Sequence, residues 1–401
     1  MKKNNVLFLA SDVGIYPLNS GRSQYSYGLC EEFSKYVNLH VISCIAEGID
    51  YSDIQEQLSD KMDVIFIPLE KGYKELYTHP IRTLQAYGAG ISIAQTNVLA
   101  EAKRMIIEYE IDTIIIDYLR NAMYFKILKH MFPSKKFIYN SHNAEFINME
   151  KEYAKERQTY LPDKLLANLR LKKIIAWEKK IIIETDKTLS ISKDDIKLLA
   201  QKFDISDTKF LASKPLIHYK KVKNDNALKF FNYRLLIVGT MHWGALVDGI
   251  LWFVENVFSL VIQKDSRYKL FLVGANPSDK IIDLKKRYAD NIVVTGTVED
   301  VSEYYDMCDI SIVPMFEGTG TKLKVLESLC RGIPTISTSL AAKDYELTDE
   351  VLIANTSGEF QENIFMLEQD AKLRIMLSEK MQNYVNGYYV LNDSIIKELQ
   401  S

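Results

Sequence analysis

"EGTGTKLKVLESLCRG", residues 317–332, stands between two apolar runs, "DISIVP" (309–314) and "IPTIST" (333–338). Strand, glycine-rich turn, helix and strand in that order make a parallel βαβ unit. Leu323, Val325, Leu326, Leu329 and Cys330 form the stripe that such a helix buries. Gly318 and Gly320 allow close approach of backbone to a ligand, and the free N–H groups of a helix start bind anions. Lys322 and Lys324 fall in the first turn of that helix, where partial positive charge disfavours cations. A bound diphosphate would reverse the sign of that effect. Glu327, three residues past Lys324, lies on the same helix side. A carboxylate at the margin of the apolar stripe can accept two hydrogen bonds from vicinal hydroxyls such as those of a ribose. The plainer alternative is Lys322 reaching into water and Glu327 pairing with Lys324 on a wet face.

The same alternation extends in both directions. Upstream lie "YRLLIVG" (233–239), a helical stretch near 246–262, "YKLFLVG" (268–274), a helix near 278–288, "NIVVTG" (291–296) and a short helix near 299–307. The front half repeats the theme with strand candidates at 6–10, 39–43, 64–69, 113–117, 136–140 and 187–192, and helices at 22–36, 91–109 and 164–184. Runs dense in Ile, Val and Leu without strict alternation indicate strands covered on both faces. The pattern weakens over the polar, lysine-rich 201–229 and ends in helices over 359–401 with breaks near Gly387 and Asn392. The class is α/β: two Rossmann-like, doubly wound parallel-sheet domains facing a cleft, spanning 1–215 and 216–385, with a C-terminal helix (386–401) crossing back to the first. In such sheets ligands bind beyond the carboxyl ends of strands, where "SDVGIYPLNSGRSQ", "SHNAE" and "TMHWG" also fall.

Several classes are excluded. A net charge of −3 gives no basic excess for nucleic acid. Cys30, Cys44, Cys308 and Cys330 are scattered and apolar in context, so they read as buried free thiols in a reducing compartment. No GxxxxGK[ST], no DxD and no HExxH occurs, and "GTGTKL" lacks the third glycine of a dinucleotide fingerprint. No bound metal or cofactor is expected. "MKKNNVLFLASD" is too short in its apolar run for a signal peptide, and no window reads as approaching the roughly 18 apolar residues of a membrane span, so a cytoplasmic location is expected. The basic, apolar segment 169–186 is read first as a packed helix with its lysines in water, and second as a peripheral contact with the inner face of a membrane.

"GTGTKLKVLESLCRGIPTIST" resembles the donor-binding segment of GT-B fold glycosyltransferases, and more narrowly the large retaining family numbered four, in the branch with a GTGTKxKxxE motif. "LLIVGTMHWGALVDGILWFVENV", "LFLVGANP", "VVTGTVEDVSEYYDMCDISIVP", "LSISKDD" and "YNSHNAEF" are similar to that branch in order and spacing. The likeness is dense over 233–338 and thin over 44–135. It implies a cytoplasmic enzyme moving a sugar from a nucleotide-sugar donor to a glycan, lipid-linked or protein-linked acceptor in bacterial surface glycan synthesis, with retention and without metal. Glu327 would bind the donor ribose. Lys322 and Lys324 would contact the diphosphate, with backbone donors from Gly318, Thr319, Gly320 and Thr321. Gly239 and Thr240 would lie against the phosphates, and Thr297 and Val298 at the nucleobase. His142 would face the transferred sugar, and Gly21 and Arg22 would line the cleft. Relatives carry a glutamate where this chain has Thr319, and often Arg and Lys where it has "GTMHWGALVDG"; Lys322 and Lys324 would stand in for that charge. Two other readings fit the same fold: a non-catalytic partner subunit and a nucleotide-sugar epimerase.

Overall fold

The computed structural model describes residues 3–10, 14–16, 21–45, 51–59, 62–68, 94–147, 149–150, 161–217, 225–298, 300–318, 321–388 and 391–401. The chain divides into two compact units, Met1–His218 with Leu391–Ser401, and Tyr219–Val390.

The first unit is built on seven parallel strands: β1 (Asn5–Ala10), β2 (Asn38–Ile45), β3 (Asp63–Pro68), β4 (Thr113–Asp117), β5 (Lys136–Ser141), β6 (Lys187–Ser190) and β7 (Phe210–Ala212), ordered β3-β2-β1-β4-β5-β6-β7. All of β4, and all but the first residue of β1 and β5, are buried. Helices cover both faces, which is why these strands carry continuous Ile, Leu and Phe rather than an alternation. Two of these helices bear on the candidate site: α1 (Gly21–Phe33), which follows β1, and α2 (Leu161–Glu184), which precedes β6. The predicted helix near 91–109 starts at Thr96, with 91–93 outside the described residues. The helix Ala122–Met131 and the three-residue β7 had no clear sequence signal.

The second unit has six parallel strands: β8 (Arg234–Val238), β9 (Lys269–Val273), β10 (Ile292–Gly296), β11 (Ile310–Val313), β12 (Thr335–Ser337) and β13 (Leu352–Ile353), ordered β10-β9-β8-β11-β12-β13. Helix α3 (Gly244–Phe253) follows β8 and runs on through a π turn to Lys264. At Gly249 a Cβ would stand 1.9 Å from the Pro314 carbonyl oxygen, so only glycine lets α3 lie directly on the loop after β11. The 21-residue run Gly244–Lys264 holds an 18-residue window with a mean hydropathy of 1.8 and is long and apolar enough to cross a bilayer by length and composition. This corrects the expectation that no window reaches that level. The reason for its hydropathy is burial: Ile250, Phe253, Val254, Val257, Phe258 and Val261 are all inaccessible in the core of the unit.

Helix α4 (Leu323–Arg331) joins β11 to β12, burying Val325, Leu326, Leu329 and Cys330. It ends at Gly332, whose φ of 64° supplies the left-handed C-cap. The C-terminal helix α5 (Asp393–Gln400) belongs to the first unit: the Lys136 ammonium pairs with Glu398 at 2.7 Å and the Asn4 amide donates to the Leu399 carbonyl at 3.3 Å.

In both sheets the strand order reverses next to the first strand, between β1 and β4 and between β8 and β11. Loops leaving the carboxyl ends of those strands diverge there and leave room for a ligand.

Candidate functional site

In the second unit the carboxyl edge at β8 and β11 gathers most of the predicted donor residues. Gly239 follows β8, its N–H donating to the Val273 carbonyl at 2.9 Å. A Cβ at Gly239 would stand 2.3 Å from Lys324 Cε and 2.6 Å from Leu246 Cδ2. The glycine therefore makes the space in which the Lys324 side chain lies. Gly318, with φ of 111°, takes a backbone conformation side chains rarely adopt; a Cβ there would meet Lys322 Nζ and Trp243 Cη2, each at 3.5 Å. Lys322 is the residue before α4, not within its first turn, and its carbonyl accepts from the buried Tyr345 hydroxyl at 3.0 Å.

Both ammonium groups stand near the same ring, Lys322 Nζ 5.9 Å and Lys324 Nζ 5.7 Å from the centroid of Trp243. Lys322 is buried, which lysine seldom is. Desolvation pulls the Lys324 pKa down, with Glu327 acting in the opposite direction. Burying cationic nitrogen beside a helix N-terminus is unfavourable in isolation, and an anion held between these groups offsets it. Glu327 accepts a hydrogen bond from the buried Tyr305 hydroxyl at 3.2 Å. Tyr305 belongs to the apolar cluster with Leu236, Val273, Cys308 and Ile333, against which Val298 packs. The Thr321 hydroxyl oxygen is buried with no hydrogen-bond partner among the described residues, a state that a ligand oxygen would relieve. Thr240 and Thr297 are exposed on the same edge, after β8 and β10. Thr319 and Gly320 lie outside the described residues.

The first unit presents a separate polar cluster at its own switch point. His142, which follows β5, is buried and its Nε2 lies 2.7 Å from Asp117 Oδ1 at the end of β4. Asp117 also accepts from the Asn140 amide at 2.7 Å and from the Ser26 hydroxyl at 2.8 Å. Three side chains thus converge on a carboxylate that the fold has taken out of water, and satisfy its oxygens. The bond to Asp117 assigns the proton of neutral His142 to Nε2 and leaves Nδ1 an acceptor. The imidazole is wedged edge-on between Tyr25 and Tyr118, with centroids 5.0 and 5.4 Å away. Tyr118 has φ of 68°, and the Arg22 guanidinium lies 3.8 Å over its ring. Gly21 starts α1 and is exposed.

The two groups of residues are thus each assembled within one unit. Asp117, Asn140, Ser26, Tyr118, Trp243 and Tyr305 were not singled out from the sequence. A signal existed for four: Asp117 and Asn140 close the runs "TIIID" and "KFIYN" at strands' carboxyl ends, and Trp243 and Tyr305 lie in the quoted "TMHWG" and "VVTGTVEDVSEYYDMCDISIVP".

This chain is 25% identical to an uncharacterised glycosyltransferase of Methanocaldococcus jannaschii over 296 residues, which cover 68% of this chain and 69% of that protein. Among solved structures it is similar to Anabaena HepE in complex with UDP and glucose, with a TM-score of 0.61, 10% identity, and coverage of 99% of this chain and 97% of that one. It is also similar to the catalytic domain of starch synthase IV from Arabidopsis thaliana bound to ADP and acarbose, with a TM-score of 0.64, 11% identity and 95% coverage of each chain. At such identities the likeness is one of fold. Residues 232–370 match the family described as glycosyl transferases group 1, and the two parallel-sheet domains have the fold of the GT-B glycosyltransferases.

Proposed function

We propose that this chain is a glycosyltransferase that moves a sugar, of the hexosyl class, from a nucleotide-sugar donor to an acceptor hydroxyl of a glycan, lipid-linked or protein-linked acceptor, with retention and by chemistry that needs no metal. The observation that carries the reading is the placement of Lys322 and Lys324 around Gly239, Gly318 and Trp243 at the switch point of the second sheet. Their ammonium groups and the start of α4 supply fixed positive charge where a leaving diphosphate gains negative charge. Glu327, held by Tyr305, takes the ribose hydroxyls. Val298 and Thr297 face the base, and Thr321 offers its unpartnered hydroxyl to the phosphates or sugar. In the first unit, His142 offers Nδ1 to a sugar hydroxyl while Asp117 fixes its orientation. Departure of the diphosphate generates an oxocarbenium-like centre, and a diphosphate oxygen takes the acceptor's proton on the same face. The two solved relatives named above hold UDP and ADP, so the base is not set by the fold.

The test is to incubate the purified chain with UDP-, GDP-, ADP- and dTDP-sugars and to follow nucleotide release and product. Free nucleotide with transferred or hydrolysed sugar supports the reading. An altered sugar still attached to nucleotide identifies an epimerase, and binding without turnover for every donor identifies a partner subunit.

The proposed location is cytoplasmic, with peripheral contact of α2 on the inner face of a membrane as the second reading. Helix α2 buries Leu171, Ile174, Glu178, Ile181 and Ile182, and turns Lys172, Lys173 and Lys179 outward. Leu169 and Ile183 stand on that outward side at 60% and 50% exposure. Lysines flanked by exposed apolar side chains suit an anionic headgroup layer, at about 1 kcal/mol for each lysine near the surface. Flotation with vesicles containing phosphatidylglycerol, lost with phosphatidylcholine alone, is the expected result; flotation with neither would remove this part of the reading.

A further inference from the structure

The side of α2 that faces inward carries a carboxyl group with no place in the chemistry above. Glu178 is completely buried, yet its two oxygens receive the backbone N–H groups of Glu145 at 2.8 Å and Phe146 at 3.0 Å. A buried acid is costly unless its oxygens are bonded, and Leu or Met would fill the same space without that cost. What the acid supplies instead is direction: the first two N–H groups of the helical stretch that opens at Glu145, free donors at a helix start, are drawn to one side chain on a long helix. Side-chain contacts also hold this segment: Glu145 meets Asn143 and Tyr118, and the Phe146 ring packs on Phe203. The Ser141 hydroxyl donates to the Asn143 carbonyl at 2.9 Å, and the His142 ring bonds Asp117. Glu178 ties the backbone just beyond His142 to an element outside the sheet's carboxyl edge.

We propose that Glu178 is a positioning residue: from the inner face of α2 it fixes the backbone at residues 145–146 and through it the orientation of the His142 imidazole. This rests on the reading of His142 as a site residue, but concerns how the fold aims that ring rather than which donor is used. The neighbours of Glu178 make the link sensitive to protonation. Glu145 and Asp195 face it with like charge, and Glu145 in turn faces Arg22, His142, Asn143 and Tyr118. Burial, with the two carboxylates adding to it and the two backbone donors opposing, pushes the Glu178 pKa up to about 8. When the group ionises, both oxygens become full acceptors and the two amide bonds strengthen.

The test uses full-length protein and needs no sugar donor, so its failure and a failure of donor binding are separate results. In the unmodified protein, nuclear magnetic resonance across pH 6.5–9.5 (about one to two units either side of that midpoint) should show the Glu145 and Phe146 amide protons moving downfield together. The His142 imidazole signals should follow with the same midpoint. In Glu178→Gln, whose amide nitrogen cannot accept the second N–H, the movement of the His142 imidazole signals around that midpoint should be lost. The other five of the six histidines should stay in place. Amide protons that do not move in the unmodified protein would overturn the proposal. So would amide protons that move while His142 stays unchanged, or a folded Glu178→Gln protein with an unaltered His142.

Discussion

Lys324 and Glu327 are three residues apart on α4, and the structure gives each a partner that explains its retention. Lys324 threads past Gly239, and Glu327 receives the Tyr305 hydroxyl. If they hold diphosphate and ribose, Lys324→Ala and Glu327→Ala should each lower sugar transfer at least tenfold, about 1.4 kcal/mol or more, with donor affinity falling in parallel; initial rates and calorimetry measure both. Asp117→Asn should behave differently. It leaves the donor residues of the second unit intact and loosens His142, so kcat should drop about tenfold or more while donor affinity changes by less than about twofold. The lysines and Glu327 were legible in the sequence because they lie in one contiguous motif. Asp117 was not, because its partners Ser26 and His142 come from 91 and 25 residues away. Such pairings have no period to read. Trp243 was visible only as part of a quoted loop: nothing local shows that one indole faces two ammonium groups some 80 residues later.

At the scale of elements, strands and long helices followed the hydrophobic runs closely, since buried parallel strands read as unbroken Ile, Val and Leu. β7 and β13, of three and two residues, are too short to carry a pattern. Helix α3 falls where the sequence reading put a helix, near 246–262. Its hydropathy matches a membrane span because the second unit's core surrounds it, and Gly249 records its contact with the loop after β11. Helix α2 carries a prediction of its own. Glu178 titrates at about 8 when folded against an ordinary 4.5. Between those values the native state keeps a proton that the unfolded chain has released, so stability falls as pH rises through this window and levels off above about 8. Urea unfolding of the first unit at about pH 6 and about pH 8.5 should therefore show a lower midpoint at the higher pH, and Glu178→Gln should lose less over the same interval. Equal losses in both proteins would mean that another group sets the slope.

At the scale of the whole chain, two parallel sheets with the same style of reversal were evident from alternation alone, and the resemblance of 233–338 pointed to the fold's family through local motifs. The C-terminal helix expected over 386–401 starts at Asp393, and its contacts with Asn4 and Lys136 place it with the first unit. The central claim is that the second unit binds a nucleotide sugar through Lys322, Lys324 and Glu327. A ligand that binds only the folded state stabilises it by about 2.7 kcal/mol at a hundredfold excess over Kd. Thermal denaturation of the unmodified protein and of Glu327→Ala with UDP-, GDP-, ADP- and dTDP-sugars tests this directly. At least one donor should raise the melting temperature of the unmodified protein by several degrees and that of Glu327→Ala by much less, whereas no shift with any donor, or an equal shift in both proteins, would contradict the account.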